Sequence, residues 1–485
     1  MIRTLADSSL KGKAVRGVLW NAVETYSMKG LEFVLGIILA RLLSPSDFGL
    51  IGMTSIFFAI SNVFIDSGFG SALVQKKDRN EDDYCTVFYV NLTVSLFFYG
   101  LLFVIAPYVA VYFEQPLLKD LIRVSALTLI FGALVSTSRN KLYVAVDFKT
   151  TTKISIISAL ISGGVALYCA YSGYGVWTLV LQGLTSAVVS AILLFCYVRW
   201  IPRRKFSKAS FHRLFGYGSK ILVASLISAV YDNIYNFIIG KKFSSASLGY
   251  YTKGQNFAYL AGSTTASVLQ KVAFPVLSDI QDDLPRLLHA YSRYIKMVAF
   301  FVFPMLMGLC GIAKPLVLFL ITEKWAPCIL LMQILCFAYL WDGIIRINLN
   351  LLYVTGRSDL VLRLEVIKKS VAFTILFISI FFGIIGMCVG RVVYSIAAFY
   401  MNTYYTKKIL NYGFWTQVKE ILPSFLLSVS MMVIALLISH FVNTPILSLA
   451  ISLTICPIYY VAFSYLLRIS SLFELRDIIL SRKKN

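Results

Sequence analysis

Long apolar stretches, nearly free of charge, follow one another along the entire chain and are separated only by short polar connections. A helix needs about 20 such residues to cross the hydrocarbon core of a bilayer. Of the 485 residues, 58% are hydrophobic and 14% are charged, whereas soluble domains carry about 25% charged residues. A soluble fold is thereby excluded. The runs predict an all-α polytopic membrane protein of about fourteen transmembrane helices, at residues 14–40, 48–74, 84–112, 118–145, 153–172, 175–198, 214–240, 248–274, 290–320, 326–354, 360–382, 384–406, 418–441 and 446–467.

The connections alternate in charge. One set carries Arg3, Lys11, Lys13 and Arg16, then Lys76, Lys77 and Arg79, then Arg139, Lys141, Lys149 and Lys153, then the basic run from Arg199 to Arg213, and finally Arg482, Lys483 and Lys484. The opposite set, represented by Tyr171 to Gly175, Gly383 to Gly386 and His440 to Thr444, has neither Lys nor Arg. Lys and Arg collect on the cytoplasmic side of membrane proteins, so the basic connections and both termini are expected in the cytoplasm. That alternation requires an even number of helices. The 45 Lys and Arg against 23 Asp and Glu, a formal net charge of +22, are on this reading a topology signal, and nucleic acid is not an expected partner. Met1 to Arg16 is polar and basic, without a short apolar core or a small-residue cleavage site, so no signal peptide is expected.

The chain also repeats itself. Ala40 to Gly52 and Gly240 to Thr252 align without gaps at an offset of 200, which pairs Ser44 with Ser244, Gly49 with Gly249 and Arg41 with Lys241. Asn140 to Val144 matches Asn350 to Val354 at an offset of 210, and Pro107 matches Pro315 at 208. A slowly drifting offset is what a duplicated unit with loop insertions would leave. The expected organisation is two parallel six-helix repeats, residues 1–208 and 209–412, followed by two C-terminal helices and a tail in 413–485. Parallel repeats place a transporter's substrate site between the halves.

Ionisable groups inside the membrane are the functional candidates, because each costs about 2.5–3.5 kcal/mol at a helix centre. In the first segment Asn21, Glu24, Thr25, Lys29 and Glu32 share a face about 140° wide, and in the seventh Ser225, Ser228, Asp232 and Asn236 lie within about 80°. The repeat offset aligns Glu32 with Asp232 and Thr25 with Ser225. Equivalent helices thus present equivalent carboxylates to a shared cavity, unless Glu32 is held by Lys29 and Asp232 by Asn236. Further candidates are Asn62 and Asp66 one turn apart, Lys253 with Gln255 and Asn256, and the stripe Asp342, Arg346 and Asn350, in which Asp342 and Arg346 can also pair. Lys220 and Arg391 stand near segment ends, where long basic side chains snorkel to the interface.

Other chemistry finds little support. The eight cysteines lie singly in apolar stretches and read as packing residues. Three scattered histidines make no metal-ligand set, and no phosphate-cradling glycine loop or nucleophile elbow appears. The clusters Asp78, Glu81, Asp82, Asp83 and Asp279, Asp282, Asp283 invite a metal reading, but they fall in equivalent cytoplasmic connections and read better as loops with local ion pairs. No metal, cofactor or catalytic group is expected.

Four stretches, Arg41 to Leu50 (RLLSPSDFGL), Asp66 to Gln75 (DSGFGSALVQ), Ser247 to Leu260 (SLGYYTKGQNFAYL) and Phe274 to Asp283 (FPVLSDIQDD), resemble signatures of bacterial polysaccharide repeat-unit flippases. These form the oligosaccharidyl-lipid branch of the multidrug/oligosaccharidyl-lipid/polysaccharide exporter superfamily, and the chain is most similar to the colanic-acid and teichuronic-acid exporter type. The resemblance implies two helical bundles that open alternately to the two faces of the bacterial inner membrane. It implies an undecaprenyl-diphosphate-linked oligosaccharide as cargo, cationic residues for the diphosphate, and acidic residues for coupling to H⁺ or Na⁺. A polysaccharide polymerase and glycosyltransferases are the protein partners it implies. Together with the residue reading, the diphosphate and sugar candidates are Lys29, Lys253, Arg346, Lys220, Asn21 and Asn236, and the coupling candidates are Glu32, Asp232, Glu24 and Asp66. Three alternatives stand beside this one: a cation-coupled drug antiporter of the same superfamily, a polytopic enzyme of lipid-linked glycan synthesis, and a structural scaffold. The enzyme is disfavoured by outward connections of no more than about ten residues, and the scaffold by the number of intramembrane charges.

Overall fold

The computed structural model describes residues 2–76 and 78–475, with side chains apart from those of 2–19, 21, 22, 217, 263–276 and 358. The described residues are overwhelmingly helical and contain no β-strand. The order is α1 (Ile2–Leu42), α2 (Pro45–Asp66), α3 (Phe69–Gln75), α4 (Glu81–Tyr112), α5 (Leu118–Ser125), α6 (Leu127–Val144), α7 (Phe148–Tyr171), α8 (Trp177–Val198) and α9 (Lys208–Lys242). It continues with α10 (Ser245–Asp279), α11 (Leu284–Gly311), α12 (Ala313–Ile321), α13 (Cys328–Tyr339), α14 (Asp342–Val354), α15 (Ser358–Ser379), α16 (Gly383–Leu410), α17 (Phe414–Phe441) and α18 (Pro445–Leu466).

Every apolar segment expected from the sequence is helical, but four are broken in two. The break between α2 and α3 falls at Ser67 and Gly68, both at positive φ. The others lie at Ala126, at Ile312, and between Tyr339 and Asp342. Eleven stretches of described residues are long and apolar enough to cross a membrane, and one of them, the 52-residue Asp359–Leu410, holds both α15 and α16. The protein is thus a multi-pass, all-helical membrane protein.

Helix starts follow from short polar side chains. Ser44 and Asp47 form a reciprocal capping box, the Asp47 carboxylate accepting from the Ser44 amide at 2.8 Å and Ser44 Oγ from the Asp47 amide at 3.3 Å, with Pro45 in the first turn of α2. Asn80 and Asp83 repeat the arrangement at α4, both bonds at 3.0 Å. Each such cap is worth about 1 kcal/mol. Ser244, the repeat partner of Ser44, accepts from the Ser247 amide at 3.1 Å. Equivalent positions of the repeat therefore start their helices in the same way.

Two compact units divide the chain, Met1–Gly249 and Tyr250–Asn485. In the first, α1 lies on α7, α7 on α8, α4 and α8 on α6, and α9 on α2. Because α9 packs along α2, the first unit extends past the expected repeat boundary at 208. In the second, α11 lies on α17, α13 and α15 on α16, and α17 on α18. Both units are inverted relative to a soluble protein. Phe97, Tyr108, Phe381 and Phe441 are exposed, as suits contact with lipid, while Asn348, Thr406 and Gln417 are fully buried. Those three, with Tyr291, bond across α11, α14, α16 and α17: Tyr291 Oη donates to Asn348 Oδ1 at 2.8 Å and Gln417 Nε2 to the same oxygen at 2.9 Å. Side-chain hydrogen bonds of this kind join helices where lipid supplies no hydrophobic drive. Seven of the eight cysteines are buried, and none is bridged.

The repeated glycines meet. A Cβ on Gly49 would overlap the backbone carbonyl of Ser245, and one on Gly249 would overlap that of Pro45. Between them Ser46 Oγ and Ser245 Oγ are 2.6 Å apart. Small residues bring the starts of α2 and α10 to backbone contact, the usual means of close helix approach in membranes. Lys241 reinforces that end, donating to Glu114 at 2.9 Å and holding its carboxyl below the ordinary range. Gly49→Ala is expected to cost about 1–3 kcal/mol through forced backbone movement, read as a lowered unfolding temperature in detergent. Gly164→Ala, where nothing stands within 4 Å, should leave that temperature unchanged or raise it slightly, because alanine favours the helix.

Candidate functional site

In the first unit the candidate residues lie on α1, α2 and α9. Glu32 and Asp232 are both exposed, and among the described residues neither makes a hydrogen bond or ion pair. The local pairings Glu32 with Lys29 and Asp232 with Asn236 are thus not formed. Lys29 is half-buried. Glu24 is tied to α7, its Oε1 accepting from Ser155 Oγ at 2.8 Å. Asn236 leans towards α2, its Nδ2 donating to Ser55 Oγ at 3.3 Å. Lys220 is exposed near the start of α9. The side chain of Asn21 lies outside the described ones.

Asp66 ends α2 at the break. Its carboxylate accepts from the Gly70 amide in the first turn of α3, and the side chain of Asn140 from α6 approaches the same glycine. A carboxylate there supplies an acceptor for an otherwise unsatisfied helix-start amide. The acidic start of α4 is likewise engaged by basic partners. Glu81 accepts from Lys141 at 2.6 Å and from Trp200 Nε1 at 3.0 Å, Asp83 pairs with Lys76, and Asp82 lies 3.6 Å from Arg204. Ion pairing therefore accounts for Glu81, Asp82 and Asp83.

The second unit holds a denser polar cluster than the sequence suggests. Arg391 on α16 does not snorkel: its guanidinium donates to Tyr251 Oη on α10 at 2.8 Å and to Tyr339 Oη on α13 at 2.7 Å. Gln255 Nε2 donates to the same Tyr339 hydroxyl at 3.1 Å, and the Tyr259 ring meets the Tyr339 ring edge to face at 5.7 Å. Lys253, two residues from both Tyr251 and Gln255 and so on another face of α10, is 8% exposed, and its ammonium stands 5.8 Å from the centre of the buried Trp325 ring. Arg346 is half-buried on α14. One signal for this cluster was legible: Tyr251, Gln255 and Tyr259 recur every fourth residue along α10 and so share one face. Its partner Arg391 was not, because nothing local distinguishes an arginine that snorkels from one drawn inward by hydroxyls on other helices.

Chemically, α1 and α9 present unpaired carboxylates, which can take up a proton or a cation. The second unit instead carries cations fixed by aromatic and hydroxyl groups, which can face an anion without moving. Tyr339→Phe is expected to destabilise the protein by about 1–3 kcal/mol, because it removes an acceptor from a half-buried guanidinium. A double-mutant cycle with Arg391→Met, followed by thermal unfolding, should show non-additive losses.

Comparison with known proteins was made against this geometry. Residues 38–330, more than half of the chain, match the family described as polysaccharide biosynthesis protein. The chain is 25% identical over 396 residues to an uncharacterized membrane protein in the cps region of Klebsiella pneumoniae, covering 79% of this chain and 80% of that one. It is 22% identical over 358 residues to the teichuronic acid biosynthesis protein TuaB of Bacillus subtilis (strain 168), covering 73% of each. To the lipopolysaccharide biosynthesis protein WzxC of Escherichia coli (strain K12) it is 23% identical over 362 residues, covering 74% of each. Its fold superposes on the lipid II flippase MurJ in an inward closed conformation with a TM-score of 0.74, at 16% identity and over 95% of this chain and 100% of that one. For an inward-facing multidrug resistance MATE family transporter of the MOP superfamily the TM-score is 0.61, at 14% identity over 81% and 99%. The architecture is that of these transporters, and by its sequence the chain belongs to the polysaccharide biosynthesis protein family.

Proposed function

We propose that the protein is an alternating-access flippase of the bacterial inner membrane, with both termini in the cytoplasm. It carries undecaprenyl-diphosphate-linked oligosaccharide units to the outer leaflet for assembly of a surface polysaccharide, whether O-antigen, capsule or exopolysaccharide. The observation that carries this reading is the family match across residues 38–330 in a chain whose relatives serve teichuronic acid and lipopolysaccharide synthesis. The likeness to a lipid II flippase fold agrees with it. A drug antiporter is the second reading, favoured only by the MATE-like fold. A polymerase and glycosyltransferases would supply and consume the cargo.

The physical task suits the residues. A diphosphate cannot enter about 30 Å of hydrocarbon without partners that replace its water, so Lys29, Lys253 and Arg346, with Lys220, Asn21 and Asn236, are proposed to receive head group and sugar. The lipid tail stays in the bilayer. Alternation between faces needs a ligand that binds the two states unequally. Glu32 and Asp232 are proposed to provide that difference, since unpaired carboxylates that lose water or approach one another gain affinity for H⁺ or Na⁺. Glu24 and Asp66 are the remaining coupling candidates.

Deleting the gene should make lipid-linked oligosaccharide accumulate in the inner leaflet, as measured by leaflet-resolved lipid analysis. Accumulation in the outer leaflet would refute the flippase reading. Complementation with K29Q/K253Q/R346Q should give less than a tenth of wild-type polymer from protein that still inserts, and full export would remove these residues from phosphate binding. Glu32→Gln and Asp232→Asn should lose transport non-additively and alter its pH or Na⁺ dependence. Additive losses with unchanged ion dependence would leave coupling to Glu24 or Asp66.

A further inference from the structure

Within the first unit, α6 and α8 leave between them a cleft of about 350 Å³, whose lining includes Gly132, Ser136 and Arg139 from one helix and Gly183, Ser186 and Ser190 from the other. Its two glycines, like Gly164, border open space. A Cβ at Gly132 or at Gly183 would meet no heavy atom within 4 Å, whereas one at Gly163 would strike Leu35 and one at Gly240 would strike Met53. Glycine weakens a helix relative to alanine, and in membranes it normally compensates by letting helices touch. Nothing touches these two. What they supply is open space.

Arg139 faces that space. Its Nη2 donates to Ser190 Oγ at 3.2 Å, and among the described residues the guanidinium has no other hydrogen bond and no carboxylate within ion-pairing distance. Neighbouring charges are already engaged, Lys141 with Glu81 and Asp66 at the Gly70 amide. A guanidinium offers five N–H donors in a plane suited to two oxygens of one phosphate, and most of these are unused. The hydroxyls of Ser186 and Ser190 add donors along the same walls, whereas Ser136 Oγ already donates to the Ala133 carbonyl at 3.0 Å.

The cleft is graded. Arg139 stands five residues before the basic end of α6, about 7.5 Å along the helix, a depth comparable to the head-group layer. Gly132 and Gly183 lie seven residues earlier than Arg139 and Ser190, roughly 10 Å further into the spans. A cation and hydroxyls at the shallow end, with bare helix surface at the deep end, fit an amphiphile with an anionic head and an apolar chain.

We propose that the α6–α8 cleft binds the phosphate-ester head of a membrane lipid, with the start of its chain over Gly132 and Gly183. The site is separate from the cations on α1, α10 and α14, and it does not depend on the transport reading. Two lipids share the chemistry, a glycerophospholipid of the bilayer and a polyprenyl diphosphate.

The test is native mass spectrometry of the full-length, delipidated protein titrated with dioleoyl-phosphatidylglycerol, undecaprenyl diphosphate or phosphate-free dioleoylglycerol. Wild type should bind at least one phosphate lipid tenfold or more tightly than dioleoylglycerol. Preference for phosphatidylglycerol would identify a site for bulk lipid, and preference for undecaprenyl diphosphate a site for the polyprenyl carrier. Arg139→Gln and Gly183→Leu, which fills open space and leaves the guanidinium in place, should each abolish that preference, while Gly183→Ala should retain it. Absence of the preference in wild type, or its persistence in either R139Q or G183L, would overturn the proposal.

Discussion

Hydrocarbon offers no hydrogen-bond partners, so every backbone amide, hydroxyl and charge that enters it must find one inside the chain. Helix starts and breaks among the described residues follow this rule, although the buried hydroxyls of Ser158, Ser448 and Ser452 have no partner. Helices satisfy the backbone, capping boxes at Ser44 and Asn80 satisfy helix starts, and Asp66 serves the amide exposed where α2 breaks into α3. The same constraint turns the molecule inside out. Asn348, Thr406 and Gln417 are buried because they bond to one another across helices, and large aromatic residues face outward because lipid accepts them.

Close approach between helices is the second consequence, since apolar surface alone does not favour one neighbour over another in lipid. Gly49 and Gly249 show how the chain arranges it, each removing the one atom that would hold the starts of α2 and α10 apart. Gly132 and Gly183 use the same lack of a side chain for the opposite end, keeping α6 and α8 from filling a gap. Neighbouring atoms distinguish the two uses. The sequence does not.

That contrast explains what was legible beforehand. Helix positions could be read because bilayer thickness sets the length of an apolar run, and the correspondence of Ser44 with Ser244 because the two stretches align at a single offset. Gly311 and Pro315 flank the break at Ile312, but the break at Ala126 carries no local mark, since neither glycine nor proline stands there and tertiary packing decides. Arg391 was misplaced for the same reason, its partners Tyr251 and Tyr339 lying 140 and 52 residues away in sequence. The local pairings that stood as the alternative for Glu32 and Asp232 are not formed, because a three- or four-residue spacing makes a pair geometrically available without making it favourable.

How firmly each charge is held bears on what it can do. Arg391 is fastened by two hydroxyls, and Lys253 lies buried beside the Trp325 ring. Moving either would expose an uncompensated charge or leave hydroxyls without partners, so both belong to a rigid scaffold. Glu32 and Asp232 carry no such restraint, and their state is set by whatever water, ion or head group stands before them. A transporter needs both kinds. Fixed cations present the same field to cargo throughout the cycle, and therefore cannot by themselves tell one conformation from another. Only a group whose partners differ between conformations can shift their balance. On the proposed reading that role falls to the exposed carboxylates rather than to the more conspicuous hydrogen-bonded arginine.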